Sequence, residues 1–255
     1  MVIWLIRFAI LAFILIGWEI SSGWLLPPFF ISSPSAIATV FWEWLESGRL
    51  FYHAAITVIE AFSGFVIGGF IGMTAGIILG RIKILADILD PFIMIFYSLP
   101  KIALAPLFVL WFGVGIDMKI ILTATVVFFL VFLNTFTGVR NVSRELIAIL
   151  NLMGGNNRHV LTKVVLPSAV AWVFAGLRLS VPYALIGAIV GELIAANQGL
   201  GFLLADASGQ FDTAGVFAAL VAIVLLAMVL NITVKLLERR AMPWRDDQGQ
   251  REFSI

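Results

Sequence analysis

The chain has 255 residues, of which 62% are hydrophobic and only 12% are charged. Soluble domains carry about 25% charged residues, so this composition excludes an ordinary water-soluble globular domain. The net charge is +1, and no basic run is long enough to predict nucleic-acid binding. Cysteine is absent, which excludes disulfides and thiolate metal sites. The two histidines, His53 and His159, are too far apart in sequence to form a ligand-spaced pair.

Six apolar segments are long enough to cross a bilayer, since about 20 apolar residues span its ~30 Å hydrocarbon layer. The third segment contains Pro91, Pro100 and Pro106, and we predict that it is broken, because each proline removes a backbone donor. A signal peptide is the alternative for the first segment, because small residues follow it. The sequence predicts an all-α, polytopic helical bundle forming one domain over residues 1–255, with spans at 4–20, 54–79, 84–112, 120–139, 169–196 and 214–237.

Lysine and arginine are concentrated in alternate connections between these segments. The connections 81–83, 140–166 and 235–251 are basic, whereas the others contain only Arg49 and Lys119. Cytoplasmic connections of membrane proteins carry the excess of positive charge. We therefore predict a multi-pass protein of the cell membrane with both termini in the cytoplasm.

Ser33 and Pro34 predict the start of a helix outside the spans, as an N-cap followed by a first-turn proline. This helix is predicted to be amphipathic. It is expected either to lie on the outer surface or to pack on the other spans. Its apolar face consists of Ile37, Val40, Phe41, Trp44 and Leu45.

The second span carries glycines at a spacing of four residues, which keeps them near one helix face. Such a stripe allows another helix to approach closely. We predict tight packing within the subunit, with a moving gate or a subunit seam as the alternative. The glycines are Gly64, Gly68, Gly72, Gly76 and Gly80.

The cytoplasmic connection between the fourth and fifth spans is longer than a link requires. Ser143 is predicted to cap a first helix that ends at Gly154, and Asn156 is predicted to start a second helix that Pro167 closes. The resulting helix pair, residues 143–165, is half apolar and half basic. We interpret it as a docking surface for a cytoplasmic partner, with an ordinary loop as the alternative.

The run from Gly154 to Pro167, GGNNRHVLTKVVLP, resembles the second half of the coupling-loop motif of ATP-binding-cassette (ABC) importer permeases. Other parts of the chain agree with that family in the expected order. They are Leu99-Pro100 with Pro106, Leu110-Trp111-Phe112-Gly113, Leu133-Asn134-Thr135, Gly138-Val139-Arg140, Gly176-Leu177-Arg178, Gly191-Glu192 and Gly199-Leu200-Gly201. The chain most resembles the nitrate, sulfonate, taurine and bicarbonate branch, which includes permeases for thiamine-precursor pyrimidines.

The resemblance implies a type I ABC importer fold in the inner membrane. It also implies a second copy of this chain, two ATPase subunits and an external, periplasmic substrate-binding protein. No cofactor is expected on this chain, since it lacks a phosphate-binding Gly-x-x-x-x-Gly-Lys-Ser/Thr loop, and ATP and Mg are expected on the ATPase. The residues implied to couple the permease to the ATPase are Glu145, Ala148, Gly154, Arg158, His159, Leu166 and Pro167.

One departure from the family pattern concerns the coupling carboxylate. The family has Glu-Ala-Ala where this chain has Ala148-Ile149-Leu150. The nearest acid, Glu145, lies one turn earlier. Either Glu145 substitutes from a shifted position, or the coupling contact is largely apolar.

Charged residues inside spans are costly and usually face a cavity or a partner. Glu60, Arg178 and Glu192, together with Pro100, are therefore candidates for the translocation pathway or its gate. The alternative is that the charges only hold the bundle together. Resemblance to the family places Glu192 near the outer gate. If Glu60 faced the pathway of a homodimer, two carboxylates would disfavour a small anion.

Two other function classes fit the sequence less well than an importer permease. A membrane-embedded enzyme needs a nucleophile–base pair or metal ligands, and the sequence offers no such set. An ATP-independent channel or secondary carrier would leave the long cytoplasmic connection unexplained. We therefore predict a transport subunit that is not an enzyme and forms a pathway for a small solute, such as a nitrate, sulfonate or taurine-type anion or a small pyrimidine.

Overall fold

The computed structural model describes residues 2–24, 27–195 and 197–241, and these form α-helices joined by short turns. Arg245 and Arg251, which contribute to the predicted cytoplasmic charge, and Ala196, the predicted end of the fifth span, lie outside the described residues. The helices are α1 (Val2–Ser21), α2 (Pro34–Glu46), α3 (Arg49–Arg81), α4 (Lys83–Ser98), α5 (Ala105–Phe112), α6 (Ile116–Arg140), α7 (Arg144–Leu152), α8 (Asn157–Val160), α9 (Leu166–Ile194), α10 (Leu200–Gly209) and α11 (Thr213–Ala241).

The prediction of an all-α bundle with about six spans is confirmed. Five helices among the described residues are long and apolar enough to cross a membrane. A sixth span is obtained when α4 and the segment Lys101–Phe112 are counted as one broken span. The break falls at Leu99 and Pro100, where the backbone leaves the helix before the 3₁₀ turn Lys101–Leu104.

The chain divides into two compact units, and α3, α6, α9 and α11 contribute residues to both. The first unit comprises Met1–Phe62, Ile102–Leu122 and Leu185–Leu226. Its largest apolar cluster joins α2 to α10 and α11. The buried members are Ile37, Trp44, Leu50, Leu200, Leu203, Ala218, Ala219 and Ala222.

The helix α2 packs on other helices of this unit, which is the second of the two arrangements expected for it. Ile37 and Trp44 are buried, while Val40, Phe41 and Leu45 pack against the same cluster. Its start is as predicted: the Ser33 hydroxyl accepts a hydrogen bond from the Ala36 backbone N–H, and Pro34 is the first helical residue.

The second unit comprises Ser63–Lys101, Thr123–Ala184 and Ala227–Ile255. Here the glycines of α3 meet the backbone of α6. A Cβ at Gly72 would lie 2.6 Å from the Phe128 carbonyl oxygen. A Cβ at Gly76 would lie 2.9 Å from that of Phe132. These distances are too short for any side chain, so the two helices are in contact backbone to backbone.

The helix after Asn156 does not end at Pro167, contrary to the sequence-based expectation. The π-helical turn Leu161–Val165 leads directly into α9, and helix is continuous from Asn157 to Ile194. A proline inside a helix removes a hydrogen bond and clashes with the carbonyl four residues earlier. The wider π turn just before Pro167 relieves this clash. In the third span only Pro100 lies at the break, whereas Pro91 lies inside α4 and Pro106 in the first turn of α5, so, contrary to the prediction, Pro91 does not interrupt the span.

Candidate functional site

A buried ion pair links α3 to α6 in the first unit. Lys119 Nζ donates a hydrogen bond of 2.9 Å to Glu60 Oε1, and the side chains are only 3% and 0% exposed. Lys119 lies in the first turn of α6, and its aliphatic stem packs against Gly191, where a Cβ would lie 2.9 Å from Lys119 Cγ. Each charge of such a buried pair depends on the other, because removing one partner leaves an uncompensated charge out of water.

Glu192, near the end of α9, accepts two further hydrogen bonds within the same unit. The Thr57 hydroxyl donates to Glu192 Oε1 over 2.7 Å, and the Gly201 backbone N–H donates to Oε2 over 2.7 Å. The Leu200 backbone N–H in turn donates to Thr57 Oγ1 over 2.9 Å. Thr57 and Glu192 therefore satisfy the first two N–H groups of α10, those of Leu200 and Gly201, which have no partner inside their own helix.

His53 completes this arrangement one turn before Thr57 on α3. The Gly199 backbone N–H donates to His53 Nδ1 over 2.9 Å. An imidazole nitrogen that accepts a hydrogen bond carries no proton, so His53 is neutral with its proton on Nε2. Gly199 has a φ of +110°, and a Cβ there would collide with the Glu192 carboxylate. Only glycine fits this position.

Together these side chains form the buried polar network, defined here as His53, Thr57, Glu60, Lys119 and Glu192. All five are buried, and the most exposed of them, His53, is 7% exposed. The Lys119 stem, packed against Gly191 next to Glu192, joins the ion pair to the hydrogen bonds of Glu192. The network therefore ties the turn after α9 and the start of α10 to α3 and α6. Any outward movement of that turn must break these hydrogen bonds.

A second candidate region is the helix pair that follows α6, in the second unit. The N-cap prediction for α7 is confirmed: the Leu146 backbone N–H donates to Ser143 Oγ over 3.3 Å. Gly154 follows the end of α7 with a φ of +81°. The apolar side of α7 is uncovered in this chain. Its exposed residues are Leu146, Ile149, Leu152 and Met153.

Asn156 caps α8, as predicted, and does so through a reciprocal pair of hydrogen bonds with His159. The Arg158 and His159 backbone N–H groups donate to Asn156 Oδ1 over 3.1 and 3.0 Å. The Asn156 backbone N–H donates to His159 Nδ1 over 3.3 Å. This capping box fixes the start of the second helix next to the exposed side of α7.

Residues 68–243 match the family described as binding-protein-dependent transport system inner membrane component. The chain belongs to this family. It is a permease subunit of an ABC importer, a multi-pass membrane protein that works with an ATPase and a binding protein.

Similar proteins agree with this assignment over nearly the whole permease. This chain is 32% identical to a putative aliphatic sulfonates transport permease protein, SsuC, of Bacillus subtilis, over 95% of this chain and 88% of that protein. It is 35% identical to the riboflavin transport system permease protein RibX of Chloroflexus aurantiacus, over 92% and 88%. Its fold resembles an inward-facing MetNI methionine ABC transporter chain with a TM-score of 0.60, 20% identity, and coverage of 78% and 96%.

The predicted coupling residues of the permease all lie in the second unit, from α7 to the start of α9. Most are exposed and therefore accessible to a partner. Leu166 is half-buried, and the exposed ones are Glu145, Ala148, Gly154, Arg158, His159 and Pro167.

The predicted pathway residues have different surroundings. Glu60 and Glu192 belong to the buried polar network, and both carboxyl groups are buried within this chain. Arg178 belongs to the second unit and is exposed on α9, and Pro100 is exposed at the break after α4. The role of these residues in transport stays a prediction.

Sequence reasoning missed Lys119, Thr57 and His53 as members of the network. Lys119 carried a usable signal, because it is a cation at the start of an apolar span with an unassigned acid, Glu60, in another span. Thr57 and His53 lie three and seven residues before Glu60, which places all three on neighbouring positions of one helix face. Among the described residues, no group of three or more His, Cys, Asp or Glu could hold a metal ion.

Proposed function

We propose that two copies of this permease form the pathway of an importer driven by two ATPase subunits, which bind ATP and Mg²⁺ and carry out the hydrolysis. An external binding protein delivers the solute. The permease itself binds no cofactor and catalyses no reaction. Both termini and the α7–α8 region lie on the cytoplasmic side of the inner membrane, in keeping with the basic connections there.

The observation that carries this proposal is the uncovered apolar side of α7. Leu152 is 88% exposed and Met153 is 78% exposed, on a short helix whose start is fixed by a cap. Monomeric soluble surfaces rarely leave such side chains together unless a partner covers them. The next helix, α8, carries the exposed basic residues Arg158 and His159, and interfaces usually combine an apolar centre with such polar residues.

Coupling then requires that movement of the α7–α8 region reaches the spans. The continuous helix from Asn157 to Ile194 provides a direct mechanical connection, because its first turn lies in the docking surface and its last turn carries Glu192. A displacement at the cytoplasmic end is therefore transmitted along one helix. Closure of the ATPases on ATP would move this helix, and the hydrogen bonds of the buried polar network would break when the outer gate opens.

The solute is a small molecule of the kind carried by the branch that the chain resembles. The solutes given in the names of similar permeases range from aliphatic sulfonates to riboflavin. We propose a nitrate, sulfonate or taurine-type anion or a small organic molecule, with selection by the external binding protein.

Co-purification tests the proposal. The permease is extracted from its native membrane in a mild detergent, and its partners are identified by mass spectrometry. We compare Leu152→Asp with Leu152→Met. A buried interface leucine contributes about 2 kcal/mol, so the acidic variant is expected to lose the ATPase at least about tenfold while the methionine variant retains it. A chain that comes out alone and moves solute in liposomes without ATP would instead be a secondary carrier.

A further inference from the structure

Lys101 lies where the broken span changes direction, as the first residue of the 3₁₀ turn after Pro100. Helix α4 ends at Ser98, so the Tyr97 carbonyl loses its helical partner at this point. The Lys101 ammonium donates a hydrogen bond to that carbonyl. Irregular backbone within a membrane span occurs where it is buried in protein or lines a water-filled cavity.

Two aromatic rings hold the ammonium in place. Lys101 Nζ lies 4.8 Å from the centroid of the Tyr97 ring and 4.9 Å from that of Phe129. Aromatic faces attract cations at such distances. An ammonium has three N–H donors, and one of them is used on the Tyr97 carbonyl.

Phe129 shows how deep this cation lies. It is close to the middle of α6, which runs from Ile116 to Arg140. At 1.5 Å per residue, Phe129 is about 20 Å from one end of that helix and about 17 Å from the other. The contact with Phe129 therefore places the Lys101 ammonium near the middle of the membrane, too deep for its side chain to reach either interface.

No carboxylate in the described part of the chain forms an ion pair with Lys101. This distinguishes it from Lys119, whose charge is balanced by Glu60. The Lys101 side chain is also only partly buried. A cation at the centre of a span costs about 2.5–3.5 kcal/mol on insertion scales and normally marks an ion or substrate path. A neutral hydrogen-bond donor would be enough to cap the Tyr97 carbonyl, so a capping role alone does not account for a lysine at this position.

We propose that Lys101 is an anion-recognising residue of the translocation pathway, and that the solute carries a negatively charged group such as a sulfonate or carboxylate. This inference rests on the proposed function, because it takes the broken span to line the pathway. The Glu60 carboxylate does not oppose it, since Glu60 is buried and paired with Lys119. Two copies of the chain would bring two such ammonium groups to one pathway.

Charge-selective thiol labelling tests this inference without knowledge of the solute. The chain has no cysteine, so a single cysteine at the exposed Ser98 gives a clean reporter. Ser98 lies three positions before Lys101, a Cα–Cα reach of at most about 11 Å. Membranes containing the permease are treated with 2-sulfonatoethyl methanethiosulfonate, which is anionic, or with its trimethylammonium counterpart. The initial rates are compared for Ser98→Cys alone and combined with Lys101→Met or Lys101→Arg.

We expect the anionic reagent to react faster with Ser98→Cys, and Lys101→Met to reduce the ratio of anionic to cationic rates at least about tenfold. Lys101→Arg should keep the preference for the anionic reagent. If Lys101 were only a structural cap for the Tyr97 carbonyl, Lys101→Met would leave the ratio of anionic to cationic rates unchanged. An unchanged ratio in Lys101→Met would overturn the inference. So would a cysteine that reacts with neither reagent but does react with membrane-permeant N-ethylmaleimide. ATPase co-purification from the same membranes separates this failure from failure of the proposed function.

Discussion

Replacing Lys119 by methionine should destabilise the permease more than any comparable loss of a surface charge. The substitution keeps the unbranched shape and most of the length of the side chain but leaves Glu60 buried without its cation. Glu60 Oε2 already lacks a hydrogen-bond partner among the described residues. The remaining carboxylate would then be an uncompensated charge at 0% exposure.

Breaking a buried ion pair from one side costs about 3–5 kcal/mol, because one charge stays desolvated. For a chain of this size, that corresponds to a fall in Tm of roughly 6–20 °C. The matched control is Arg140→Met. Arg140 pairs with Asp87 over 3.1 Å, but those side chains are 37% and 52% exposed. An exposed pair contributes about 1 kcal/mol or less, so the control should lower Tm by only a few degrees.

Thermal unfolding in detergent, followed by tryptophan fluorescence, measures both variants and the double variant Lys119→Met with Glu60→Leu. Removing both members of the pair leaves neither one buried without its partner, so the double variant should be more stable than Lys119→Met alone. The reasoning would be refuted if Lys119→Met were no more harmful than Arg140→Met. It would also be refuted if Glu60→Leu added a further full loss to that of Lys119→Met.

Two further predictions concern packing and the turn after α9. Gly68→Ala should sharply reduce the yield of folded protein in size-exclusion chromatography, because its Cβ would collide with the Ala124 carbonyl, whereas Gly17→Ala, with open space around it, should be neutral. Thr57→Val removes a hydroxyl that donates to Glu192 and accepts from the start of α10, and should lower Tm by several degrees. A Thr57→Val variant as stable as the parent would show that the network does not hold this turn.

The parts of the fold that composition and local signals control could be predicted from the sequence. Apolar length identified the spans, since lipid demands it whatever the neighbours. Ser33, Ser143 and Asn156 were correctly predicted as caps, because a cap depends on the next three residues only. The prediction that Pro167 ends a helix was wrong, because the effect of this proline depends on the π turn before it.

The contents of the buried polar network could be predicted only in part. Glu60 and Glu192 stand out as acids in apolar segments, and their burial follows from that. Their partners do not follow, because Lys119 is 59 residues from Glu60 and Thr57 is 135 residues from Glu192. Such pairings depend on how the helices pack, which no short pattern encodes. The division into two units is likewise a property of long-range packing.

Helix α1 should tolerate sequence change in a way that α3 does not. None of the most apolar part of α1 is buried inside the chain, and it is held mainly near its end, where Glu19 accepts hydrogen bonds from Ser35 and Trp18 packs against Phe217. Exchanges among apolar residues before Trp18 therefore change no buried contact within the chain, so many apolar sequences should serve equally well for this helix. The α3 glycines Gly68, Gly72 and Gly76 have no such freedom, because a Cβ at each would collide with α6.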